Sequence, residues 1–113
     1  MAGFIKGDVV VVPFPFSDLS QAKRRPALVL APLEGRDLIL CQITSQHVRD
    51  AYAIELEDHH FQEGALRQKS NVRPSRIFTC DKGIILYRIG QMKLGKINEV
   101  IERIIEILRY QAW

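Results

Sequence analysis

Residues 24–30 read RRPALVL, two arginines and a proline leading straight into an apolar run, and this stretch decides the fold. Pro26 pushes Arg25 towards extended backbone, so residues 26–31 are predicted to be a strand entered at an arginine. Upstream, residues 8–16 combine Val9–Val12 with the alternation Pro13, Phe14, Pro15, Phe16. This pattern suits a buried strand that leaves the ladder where proline cannot donate. Residues 17–23 are polar and turn-like, so the two strands form a hairpin. Downstream, Glu34, Gly35, Arg36 and Asp37 supply a turn before LILCQIT at 38–44, a third strand. The first 45 residues therefore read as a three-stranded meander.

YAIELE at 52–57 alternates as a fourth strand, and EDHHFQEG at 57–64 reads as a short helical turn or loop. SNVRPSRIFTCD at 70–81 holds a period-two stretch around a proline, and IILYRIG at 84–90 is the clearer strand, with Lys82 and Gly83 turning between them. From Leu94 the period changes to 3.6. Apolar residues at 94, 97, 100, 101, 104, 105 and 108 mark one face of a terminal helix. On its polar face Glu99 and Arg103 are attractive i,i+4 neighbours, and Glu102 and Glu106 repel. The fold class is mainly β with α, a compact, mostly antiparallel barrel-like sheet closed by a C-terminal helix, in a single domain over 1–113.

At 113 residues the chain is long enough for one hydrophobic core and too short for two. Its 47% hydrophobic and 26% charged residues are ordinary for a soluble fold, and no apolar run approaches the roughly 20 residues needed to cross a bilayer. The start MAGFIKGDVV lacks the features of a signal peptide, so no membrane association is expected and a cytoplasmic location is. Cys41 and Cys80 sit in apolar stretches without zinc-ligand spacing and read as small reduced core residues. His47, His59 and His60 lack a third ligand at a recognisable spacing and read as solvated loop histidines, so neither a metal nor another cofactor is expected. No Walker loop, dinucleotide-binding glycine pattern, HExxH or nucleophile elbow is present in the sequence.

A net charge of +3 and a pI near 9.1 favour polyanions only mildly. Their distribution says more. Lys23, Arg24 and Arg25 stand together, and Arg67, Lys69, Arg73 and Arg76 fall within ten residues, so two basic clusters are placed to line one phosphate track or to stand as solvated loops. Cutting a phosphodiester without a metal requires activation of a ribose 2′-hydroxyl, stabilisation of charge on phosphorus and protonation of the leaving oxygen. Arginine suits the second task, since its planar fork matches phosphate oxygens. Arg25 is placed for that role, and a surface arginine ahead of a proline explains the residues equally well. Thr44 ends the third strand with a hydroxyl that can donate to phosphate, with Ser45 and Gln46 beyond it; on the residues alone a turn-forming Thr-Ser pair is the stronger reading. Arg76 offers a second phosphate contact or a salt bridge to Asp81 or Glu55. Asp8 and Asp18 flank the first strand, where turn and capping roles account for both.

Taken in order, GDVVVV with its following prolines and phenylalanines, RRPALVLAP, ITSQ, DHHFQEGALRQKSNVRPSRIFTCDK and IGQMKLGKINEVIERIIEIL resemble the PemK/MazF toxins of type II toxin-antitoxin systems. The resemblance runs from Gly7 into the terminal helix. It implies a small SH3-like, PemK-type barrel that forms homodimers and cuts single-stranded RNA at short sequences, without metal, leaving 2′,3′-cyclic phosphate and 5′-hydroxyl ends. A cognate antitoxin protein would block the RNA groove. By motif match, Arg25 and Thr44 take the catalytic positions and Arg76 a basic position on a later strand. Asp18, Gln21, Lys23, Ser45 and Gln46 fall in RNA-facing loops, with Arg24 beside the catalytic arginine. The segment 17–24 is short beside many relatives, which leaves the cut-site preference open. The alternative is a noncatalytic toxin of the same fold that inhibits a protein such as DNA gyrase; a repurposed RNA-binding member is a third reading.

Overall fold

A computed structural model of the chain describes residues 3–14, 23–46 and 49–110. The first three strands are β1 (Asp8–Phe14), β2 (Lys23–Pro32) and β3 (Asp37–Thr44), paired antiparallel as the meander requires. Then follow β4 (Ile54–Leu56), β5 (Phe61–Glu63), β6 (Ser70–Asp81), β7 (Tyr87–Met92) and the helix α1 (Leu94–Arg109). The strands form one curled sheet in the order β4-β6-β3-β2-β1-β7-β5.

The valine run of β1 is explained by burial on both faces of the sheet, which favours continuous apolar sequence over alternation. Val9, Leu28, Cys41 and Ile43 pack on one side with Leu56, Phe61, Val72 and Met92. Val10, Val12, Ala27, Val29 and Leu40 pack on the other, under Phe4, Phe78, Ile84 and Ile85. Helix α1 closes the first side with buried Ile97 and Val100, and Ile101 and Ile104 rest against the same cluster. Each fully buried Leu or Ile contributes roughly 1.5–3 kcal/mol.

Several elements depart from the sequence reading. The fourth strand shrinks to Ile54–Leu56, because Asp50 closes a turn in which its carbonyl accepts from Ala53 N at 3.1 Å and its Oδ1 from Tyr52 N at 2.9 Å. Residues 57–64 contain a strand as well as a single 3₁₀ turn, Asp58–His60: β5 pairs with β7, a partner distant in sequence. The last strand begins at Tyr87, since Ile84 and Ile85 are used to cover the second core cluster. The ends of the expected helix face, Leu94 and Leu108, stay 69% and 71% exposed. Arg103 lies 3.8 Å from Glu106 and donates to the Tyr52 carbonyl at 3.1 Å, and Glu99 pairs with Lys96 at 3.1 Å, so the expected Glu99–Arg103 pair is replaced by i,i+3 partners.

Strand β6 absorbs its proline in a bulge. Cys41 is opposite Ile77 while Gln42 is opposite Arg73, leaving Pro74, Ser75 and Arg76 outside the ladder. The Cys41 thiol donates to the Arg73 carbonyl at 2.8 Å, satisfying an acceptor beside the break. Both cysteines are buried and free.

Candidate functional site

Arg25 pairs with Val12 towards the loop end of the β1–β2 hairpin. On the other side of β2, Ala27 faces Gln42 of β3, and Arg25 and Thr44, each two residues beyond that pair, line the same groove. The hairpin and the end of β3 thus bring the two residues to one place. A groove of about 580 Å³ opens there, with Arg24, Arg25, Thr44, Ser45, Leu66, Arg67, Gln68 and Tyr87 in its lining. Its described lining includes three arginines and no carboxylate. Cationic walls focus a positive potential on any anion that enters.

Thr44 is buried at 5% exposure, and its Oγ1 accepts from Gln46 N at 3.2 Å. The hydroxyl is thereby oriented by the turn it caps, and its proton remains to be donated. Both sequence readings of Thr44, the turn former and the hydroxyl donor, are thus compatible in one geometry. Arg25 is half-buried and Arg24 exposed, and both line the groove.

Other residues singled out in the sequence are elsewhere. Lys23, Gln46 and Arg76 are not among the described lining residues. Lys23 ends the hairpin ladder opposite Phe14, Gln46 contributes its backbone N–H to Thr44, and the bulge carries Arg76 out of the ladder. The bridges proposed for Arg76 are already taken: Asp81 holds Arg36 at 3.0 Å, and Glu55 holds Lys69. Arg73 is likewise withdrawn from the basic cluster by Asp50, at 3.1 Å, so Arg67 is the member of that cluster that lines the groove. Asp18, Gln21 and His47 lie outside the described residues.

Asp8 is a buried structural knot. Its carboxylate accepts from Ile5 N at 2.9 Å, Arg88 Nε at 2.9 Å and Gln91 Nε2 at 2.7 Å, and Arg88 also reaches Glu63 at 3.0 Å. This network locks β7 against β1 and β5, and so holds the neighbouring Tyr87 in the groove wall. Among the described residues, no group of three or more His, Cys, Asp or Glu is placed to hold a metal ion. His60 Nδ1 accepts from Glu57 N at 2.9 Å, and burial, then the charges of Lys96 and His59, hold its pKa below the ordinary histidine value.

Sequence reasoning missed Tyr87, Gln68 and Ser70, which line the groove. Tyr87 carried a signal, an aromatic beside an arginine in a strand, but its proximity to Arg25 arises from the pairing of β7 with β1, which no local pattern reveals.

The architecture is that of known toxins. The structure of MazF from Deinococcus radiodurans superposes with a TM-score of 0.74 at 20% identity, over 97% of this chain and all of that one. An endoribonuclease in complex with its cognate antitoxin, from a mycobacterial species, gives 0.72 at 12% identity over 100% of both chains. The Mycobacterium tuberculosis toxin MazF-mt6 gives 0.70 at 17%, over 93% of this chain and 99% of that one. No curated protein matches the sequence. The family model of the PemK-like, MazF-like toxins of type II toxin-antitoxin systems matches residues 5–108, and the chain belongs to that family.

Proposed function

We propose that this toxin is a metal-independent endoribonuclease that cuts single-stranded RNA in the cytoplasm to 2′,3′-cyclic phosphate and 5′-hydroxyl ends, and that a cognate antitoxin silences it by occupying the groove. The observation that carries the reading is the presence of Arg25 and Thr44 in one groove rich in arginine and free of carboxylates among its described lining residues. The structural relative described as an endoribonuclease bound to its antitoxin supports the same assignment.

In the reaction the ribose 2′-oxygen forms a bond to phosphorus as the bond to the 5′-oxygen breaks. The 2′-hydroxyl gives up a proton and the 5′-oxygen gains one. Negative charge builds on the non-bridging oxygens, where the Arg25 fork and the Thr44 hydroxyl proton would meet it. Arg24 and Arg67 would hold neighbouring phosphates, and the Tyr87 ring offers a face for an unpaired base. Two copies would pair through apolar residues such as Ile77 and Leu86, exposed at 41% and 46%.

The test is incubation of the protein with a long heterogeneous transcript in EDTA, beside Arg25→Ala and Arg24→Ala, with mapping of the ends. Discrete cuts ending in cyclic phosphate, lowered about 100- to 1000-fold by Arg25→Ala, are expected. Intact RNA across several transcripts would overturn the nuclease reading in favour of a noncatalytic toxin acting on a protein.

A further inference from the structure

A second cavity, of about 380 Å³, lies beside the groove and shares Leu66, Arg67 and Gln68 with it. Its remaining walls are Glu57, Asp58, His59 and Lys69. The three shared residues form the partition between the two spaces, and that partition is fixed at both ends. At its root, Gly64 and Gly90 approach so closely that a Cβ on Gly90 would fall 2.2 Å from the Glu63 carbonyl oxygen, and one on Gly64 would fall 2.3 Å from that of Ile89. At its far end, Ser70 Oγ donates to the Gln68 carbonyl at 3.0 Å, and Leu66 rests on the core. The opposite wall is held by the 3₁₀ turn, where His60 N donates to the Glu57 carbonyl at 3.0 Å and Glu57 N to His60 Nδ1 at 2.9 Å.

The two spaces differ in charge. Arginines without carboxylates line the described part of the groove, as a phosphate backbone requires, whereas the second cavity sets Glu57 and Asp58 against Arg67, with Lys69 in its wall held by Glu55. A wall that carries carboxylates disfavours a phosphate and offers acceptors as well as donors to a neutral group that presents both. A nucleobase edge is such a group. Of the four RNA bases, guanine presents two adjacent donors, N1–H and N2–H, matched to a carboxylate, and acceptors at O6 and N7 matched to Arg or Lys. Uracil has no amino donor.

We propose that the second cavity is a base-reading pocket that takes a guanine one step along the strand from the groove. Its N1–H and N2–H groups donate to the Glu57–Asp58 wall, and Arg67 spans the partition between base and phosphate. The inference rests on the groove being an RNA site and adds a sequence preference to it.

The test is binding, independent of cleavage. Short single-stranded RNAs with 2′-O-methyl riboses, which lack the attacking hydroxyl, are titrated by fluorescence anisotropy: an all-uridine tract, the same tract with one guanosine, and the same with inosine, which lacks the 2-amino group. The guanosine RNA is expected to bind about 5- to 150-fold tighter than the uridine tract, with inosine between them. Glu57→Gln with Asp58→Asn should collapse that ratio, and these near-isosteric changes at exposed positions keep the fold. Equal binding of the three RNAs, or a ratio unchanged in the double variant, overturns the pocket. A guanine preference without cleavage of an ordinary transcript overturns the nuclease reading and keeps the pocket; cleavage without the preference does the reverse.

Discussion

Asp50 Oδ2 accepts from Arg73 Nε at 3.1 Å, and this contact ties the loop that follows Thr44 to the bulge in β6. The Asp50 side chain is 6% exposed, so the ion pair is mostly removed from water, and Ser75 Oγ adds a weaker donor at 3.4 Å. The candidate catalytic hydroxyl thus stands at the end of a strand whose exit is clamped from across the sheet.

Asp50→Asn should destabilise the protein by about 1–3 kcal/mol at neutral pH, since it leaves the Arg73 guanidinium without its counter-charge. Burial opposes ionisation of Asp50, but hydrogen bonds from Tyr52 N–H, Arg73 and Ser75, with the Arg73 charge, outweigh it and hold the pKa below 3.8. Because the native value is depressed, this stabilisation is present above the unfolded value and is lost as pH falls through the lowered one. Urea melts at neutral pH and near pH 3 should show a smaller acid loss in the variant than in the parent. Equal losses would remove Asp50 from the acid response.

The two functions of the Thr44 side chain separate by substitution. Thr44→Ser keeps the oxygen that accepts from Gln46 N and the proton left to donate, whereas Thr44→Val removes both with little change of shape. Cleavage by the valine variant is expected to fall about 100-fold or more in kcat, with the serine variant within about tenfold of the parent. A valine variant as active as the serine one would leave Thr44 only its turn-forming role.

Tyr87 is 51% exposed in the groove wall. If its ring stacks on a base, Tyr87→Phe should retain RNA affinity and Tyr87→Ala should weaken it about 5- to 150-fold, a stacking free energy of roughly 1–3 kcal/mol. Affinities for a 2′-O-methyl RNA measure this directly. A loss in the phenylalanine variant equal to that in the alanine variant would assign the effect to the hydroxyl.

Cys41 is a structural thiol. Burial, only partly offset by the Arg73 backbone and charge, pushes its pKa up to about 12, so thiolate is scarce at neutral pH. Burial likewise raises the Cys80 pKa. Neither cysteine should react with a thiol-specific reagent such as DTNB in the native protein, and both should react in denaturant. Rapid native labelling would contradict the buried placement.

Local physics made the meander and the terminal helix legible, and the sequence reading named four of the groove's residues, Arg24, Arg25, Thr44 and Ser45. Valine runs, proline positions and turn residues act over a few positions, and an Arg-Pro step at a strand start is visible without a fold. The strand β5 was hidden because three residues with no alternation gain their ladder only from β7, a partner distant in sequence. Arg73 and Lys69 looked like phosphate ligands until the tertiary structure placed Asp50 and Glu55 beside them, since a cation's availability depends on what else folds against it.

The sequence by itself determined the strand and helix periods, the buried first strand and the Arg25–Thr44 candidates. Tertiary structure alone decided that these two line one groove, that Tyr87 and Arg67 complete it, and that a second cavity carrying both signs of charge adjoins it. The physical reason is range: backbone propensity and patterning act between neighbours, whereas strand order and charge pairing join residues that the chain separates.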